Sequence, residues 1–199
     1  MTESIVLVVE DALSEAALRK MTAFSNQVIN RVICTRGNDQ IKQGIEKFKN
    51  ASNVFPHIVL TDLDHYACAH SLLENWGATN LQPRLLFRVA VREVEAWLLA
   101  DREGISQYLQ IPMNKVPLKP EMEINPKQAL INLARRAKKK RLASDIVPAI
   151  GSKASIGPLY NVRMSEFVTH QWDIQRASAN SESLKRAMRR IAEFNEIAN

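Results

Sequence analysis

No stretch of this 199-residue chain is apolar for long enough to cross a membrane. The N-terminal run at residues 5–9 is too short for a signal-peptide core, and it follows Glu3 where a signal carries positive charge. A cytoplasmic protein with no membrane partner is therefore expected. Cysteine is scarce: Cys34 and Cys68 lie far apart without metal-type spacing, each in or beside an apolar element, so reduced, buried thiols without a role are expected. There is no internal repeat and no low-complexity tract. A composition of 46% hydrophobic and 24% charged residues excludes a disordered chain and gives enough apolar surface for one substantial core with an appended lobe.

What the chain has instead is charge unevenly placed. The net charge of +6 and pI near 9.5 admit a polyanionic partner, because clustered Lys and Arg displace counterions from phosphates. The cations concentrate in Arg135-Arg136-Ala137-Lys138-Lys139-Lys140-Arg141. The acids gather earlier, where apolar runs end.

The stretch around Ile58-Val59-Leu60-Thr61-Asp62-Leu63-Asp64 organises the rest, since a short apolar strand there empties into two carboxylates one residue apart. Strands are predicted over residues 5–10, 27–35, 55–61 and 85–91. Helices alternate with them: one from the N-cap Asp11 through Phe24, one burying Ile41, Ile45 and Phe48, one over residues 68–76, and one following Arg92. Such alternation predicts a parallel sheet with helices on both faces, every strand ending at the same edge. Three acidic clusters should converge there: Glu10 with Asp11, Asp62 with Asp64, and Glu93 with Glu95. Beyond residue 110 the pattern changes. A proline-bearing irregular segment precedes a helix capped by Asn125 and begun by Pro126, with the basic run on its last turns and beyond, then a glycine-bearing loop at 151–161 and a closing helix over 183–197. The expected domains are an α/β core at 1–110 and a helical extension at 111–199 packed on it.

Carboxylates forced together are relieved by a divalent cation, and Mg²⁺ takes oxygen ligands with retained waters. For any single acid, such as Glu95 or Asp101, a solvated helix cap is the competing expectation.

Two families share this geometry. Val8-Val9-Glu10-Asp11 with Ile58 to Asp62 resembles the acidic pair and phospho-acceptor strand of receiver domains. The fourth strand lacks their Thr or Ser, however, and Lys119-Pro120 lies in a segment without strand character. Glu10 and Asp62-Leu63-Asp64 more closely resemble the Toprim domain of topoisomerases, primases and overcoming-lysogenisation-defect nucleases, where a Glu closes the first strand and a D-x-D motif the third. Nearly the whole chain is similar to an uncharacterised prokaryotic Toprim-like family. The similarity lies in Val9 to Glu15, Arg36-Gly37-Asn38, Leu60 to Asp64, Phe87 to Asp101, Pro126-Lys127-Gln128 and Gly157-Pro158-Leu159-Tyr160-Asn161. Asp11 stands where Toprim proteins usually carry Gly, as an extra ligand or a helix cap.

The resemblance implies a Toprim-like, Rossmann-like α/β fold and a Mg²⁺- or Mn²⁺-dependent nuclease acting on DNA or RNA, tRNA included. It further implies an effector in antiphage defence, governed by an ABC-type or AAA-type ATPase partner. In this assignment Asp62 and Asp64 bind the first metal, and Glu10 completes the shell or acts as general acid or base. Glu15 and Glu93 are further metal candidates; Glu93 and Glu95 would point about 200° apart on a helix and could share an ion only on extended backbone. Lys127, Arg135, Lys139, Lys153 and Tyr160 are candidates for phosphate contact. His65 and Trp97 are left to a turn and to the core. The alternative is a non-catalytic subunit that docks on an ATPase or on nucleic acid, and a homo-oligomer is compatible with either.

Overall fold

The computed structural model describes residues 4–198, with side chains described through Phe194. By compactness the chain divides into two units, residues up to Val91 together with those from Ser183 onward, and Arg92–Glu182. The division differs from the sequence-based border after residue 110, because the closing helix rejoins the first unit: Gln27 Nε2 donates to the Ile191 carbonyl at 2.6 Å.

The first unit is a four-stranded parallel sheet of β1 (Ile5–Val9), β2 (Ile29–Cys34), β3 (His57–Asp62) and β4 (Leu85–Ala90) in the order β2-β1-β3-β4. Its helices are α1 (Ala12–Phe24), α2 (Asn38–Ser52), α3 (Ala69–Asn75) and α10 (Glu182–Ala198). The central strands β1 and β3 are apolar on both faces, as a sheet covered on both sides requires. Registers Leu7↔Ile58 and Val8↔Val59, and then Val59↔Phe87 and Asp62↔Ala90, align the strand ends. Val8, Val59 and Phe87 pack with Ile41, Ile45 and Phe48 of α2 and with Leu72 and Trp76.

The second unit is helical: α4 (Val94–Ala100), α5 (Arg102–Leu109), α6 (Pro126–Ala134), α7 (Lys140–Ile146), α8 (Tyr160–His170) and α9 (Ile174–Asn180), with two short 3₁₀ turns in the proline-bearing segment. Every residue of α4 is buried, which makes it the core helix of this unit. Trp172 Nε1 donates to the Trp97 carbonyl at 3.1 Å beside it. Asp101 does cap a helix, α5, but it is wholly buried rather than solvated. Its two oxygens take a bidentate bond from Arg176 at 2.8 and 3.1 Å, and they also accept the Gly104 and Asp173 amides.

Two expectations are corrected. Cys34 and Cys68 are both exposed, since Cys34 sits on the outer strand β2 and Cys68 is the N-cap of α3. The basic run is no helix end either: α6 stops at Ala134, the run crosses the turn, and Lys140 and Arg141 open α7, where the helix dipole disfavours them.

Replacing Asp101 by Ala strands three donors at one buried spot. Because Arg176 is 40% exposed and can rehydrate, the cost should fall at the lower end for a broken buried pair, about 3 kcal/mol, read as a lowered midpoint in denaturant unfolding.

Candidate functional site

Parallel strands all deliver their carboxyl ends to one edge, and in the first unit that edge collects three βα turns. Glu10 follows β1 directly. Its Oε1 accepts hydrogen bonds from the Thr61 hydroxyl and from the Asp62 amide, the latter at 2.8 Å, so the β1 carboxylate is fastened to the end of β3. Burial pushes the Glu10 carboxyl above its ordinary range; the two hydrogen bonds oppose this, and the charges of Asp64 and Asp11 add to it.

Asp64 takes left-handed backbone, φ 51°, which is uncommon for a residue with a side chain. Its Oδ2 accepts from Asn38 Nδ2 at 2.5 Å. Asn38 opens α2 after the turn Arg36-Gly37, whose φ angles are 61° and 132°, the second being a value only glycine adopts readily. The Gly37 amide in turn donates to the Glu10 carbonyl at 3.2 Å. The β2 turn therefore holds the residues ending both β1 and β3.

Asp11 is the helix cap: its Oδ1 accepts the Ser14 amide at 2.8 Å. Glu15 pairs with Arg19 at 2.7 Å. His65 is exposed and stacks on Tyr66, ring centres 4.7 Å apart. Among the described residues no three His, Cys, Asp or Glu side chains are grouped so as to hold a metal ion.

In the second unit, Glu93 and Glu95 meet at Lys127. Glu93 is the N-cap of α4 on extended backbone (φ −136°, ψ 159°), so the 200° separation expected on a helix does not apply. Its Oε2 accepts the Lys127 amide at 2.9 Å. Glu95 is 2% exposed; its Oε1 accepts the Tyr160 hydroxyl at 2.9 Å and lies 3.5 Å from Lys127 Nζ. Burial raises the Glu95 carboxyl, Lys127 pulls it back and Glu93 pushes it further up. Tyr160 is itself 1% exposed, so the phosphate contact expected of it is replaced by this internal bond. Gly157 makes its position reachable. A Cβ there would fall 2.4 Å from the Ile146 carbonyl carbon, and the Gly157 amide donates to Ile146 O at 2.9 Å.

The remaining cations are exposed. Arg135 bonds Asn132 Oδ1 at 3.0 Å and borders a cavity of about 620 Å³ formed with residues 147–152. Lys139 caps α7 and lines a second cavity of about 300 Å³ with Tyr108, Arg141 and Arg163. Lys153 lies on the loop after Gly151. Asn38 and Thr61 are the partners of Asp64 and Glu10 that a search for acids passes over. Counting every polar residue at the strand ends, β2 included, finds both.

No protein-family model matches this chain, and no curated protein sequence matches it. Among solved structures, the C-terminal region of the Burkholderia pseudomallei OLD protein is similar at a TM-score of 0.44 and 15% sequence identity, over 98% of this chain and 100% of that one. Among the described residues no helix is long and apolar enough to cross a membrane.

A buried carboxyl raised in the folded state binds its proton there at a pH where the unfolded chain has released it, so stability falls as pH rises through that window. Glu95→Gln keeps an oxygen for Tyr160 and cannot ionise. Its melting temperature relative to wild type should therefore be lowest near the ordinary glutamate value, about pH 4, and climb toward neutral pH, as measured by calorimetry across that range.

Proposed function

We propose that this chain is a metal-dependent phosphodiesterase of Toprim type, cutting DNA or RNA. The observation that carries the proposal is the fastening of Glu10 to the Asp62 amide, with Asp64 clamped by Asn38 at the same sheet edge. Two acidic side chains from two strand ends, Glu10 and Asp64, are held in fixed orientation there by neutral donors. Helix caps alone have no need of that arrangement.

A divalent cation is the cofactor such a nuclease uses. The donors are hard oxygens, and burial with the nearby charges of Asp64 and Asp11 already makes an anionic Glu10 costly, an imbalance a cation offsets. No three carboxylates are grouped as ligands among the described residues, so the fit is to Mg²⁺ in its common form, one or two carboxylates with retained waters. Asp62 and Asp64 would hold it, and when bound it supplies polarisation of a phosphoryl oxygen. Glu10, aimed by Thr61 and by the Asp62 amide, would move the proton of the attacking water or leaving group, a task suited to a carboxyl raised above its ordinary range. Asn38 orients Asp64. In the second unit Lys127, Arg135, Lys139 and Lys153 would grip backbone phosphates, a sequence-independent, salt-sensitive contact. Control by an ATPase partner and service in antiphage defence rest on the family resemblance alone.

The other reading is a non-catalytic subunit that docks on an ATPase or nucleic acid. One observation favours it: the absence of a ready-made three-carboxylate group among the described residues.

Metal titration separates the two. With Mg²⁺ or Mn²⁺ at a hundred times its Kd, the wild type should gain about 2.7 kcal/mol of stability, and Asp62→Ala/Asp64→Ala should lose that gain together with cleavage of labelled DNA and RNA. No metal-dependent shift, with both polymers intact, would favour the docking subunit.

A further inference from the structure

Three segments far apart in sequence meet in the second unit: Glu93 and Glu95 at the start of α4, Lys127 in the first turn of α6, and Tyr160 at the start of α8. The contacts are specific at each atom. Lys127 is held at both ends, its amide by Glu93 Oε2 at 2.9 Å and its amine by Glu95 Oε1 at 3.5 Å. The same Oε1 accepts the Tyr160 hydroxyl at 2.9 Å, so the tyrosine fixes the oxygen that faces the amine. The burial is graded: Glu95 and Tyr160 are almost wholly buried, whereas the Lys127 side chain is 34% exposed.

Stability does not explain such an arrangement well. Buried ion pairs are weak stabilisers, and apolar side chains of similar volume commonly replace them without loss. What a buried carboxylate and hydroxyl do accomplish is to deny a long, flexible lysine its rotamer freedom and to present its amine at one place.

We infer that Glu95 and Tyr160 are positioning residues for Lys127, and that the Lys127 amine so fixed contacts a backbone phosphate of a nucleic acid. The inference rests on the nucleic-acid reading above and adds to it which cation is aimed and what aims it. Among the described residues Arg135 and Lys153 have no buried partner of this kind, and their contacts with phosphate would be adaptable.

The test uses the full chain and two readouts. The first is affinity for a fluorescent 20-nucleotide RNA and a DNA duplex of equal length, for wild type, Lys127→Met, Tyr160→Phe and the double variant. Tyr160→Phe should weaken binding about threefold to tenfold, the loss of one hydrogen bond's worth of positioning. In the Lys127→Met background the same change should have no further effect, because nothing is left to position. An equal loss in both backgrounds would mean a structural role and would overturn the inference. The second readout needs no nucleic acid: mass spectrometry of acetylation rates at each lysine. Lys127 should react several-fold more slowly than Lys138 in the wild type, and faster in Glu95→Gln and Tyr160→Phe. If labelling responds this way while wild type and Lys127→Met bind both polymers equally or not at all, the positioning stands and the phosphate role fails. If labelling of Lys127 is indifferent to both substitutions, the positioning itself is refuted.

Discussion

The hydrogen bond from the Asp62 amide to the Glu10 carboxylate is the contact on which the candidate site depends. β1 and β3 are neighbours in register, Val8 opposite Val59, so their last residues arrive side by side. Side by side, the acids that follow them repel one another. The sheet does not separate them; it supplies neutral donors, the Asp62 amide and Thr61 hydroxyl for Glu10 and the Asn38 amide for Asp64. Those bonds fix orientation without cancelling charge, and Asp64 and Asp11 still push the Glu10 carboxyl upward.

The second unit solves a related problem by the opposite means. Glu95 is taken out of water, and a cation and a phenol are brought to it from two other helices. Asp101 is treated likewise, with Arg176 and two backbone amides. A helix as fully buried as α4 can carry Glu95 and end on Asp101 only because each acid meets donors from a distant segment. Those acids therefore set how the helices dock.

Much of this was legible in the sequence. Four strands and the helices between them follow from apolar periodicity, Asp11 and Asn125 cap the helices they were expected to cap, and Trp97 is core. What periodicity could not supply was pairing over distance. Tyr160 reads as a phosphate ligand because a Tyr in polar surroundings usually faces water; nothing local says that its hydroxyl meets Glu95, 65 residues away. Nor does a run of cations announce whether it ends one helix or opens the next. Arg135 to Arg141 crosses the turn after α6 and opens α7. The cysteines misled for a simpler reason: an apolar neighbourhood in sequence is not a buried one when the strand lies at the sheet's rim, as for Cys34, or when the residue caps a helix, as Cys68 does.

The first unit is sewn from both sides of the second. Its sheet is finished by Ala90, yet α10, which lays Leu184, Ala187, Ile191 and Phe194 into its core, is made only after the whole of the second unit. The Gln27 to Ile191 bond spans 164 residues. On the ribosome, the four strands are complete some ninety residues before α10 is made. The order of synthesis thus runs against the order of assembly, and folding of the helical unit in the interval would shorten the effective loop that α10 has to close.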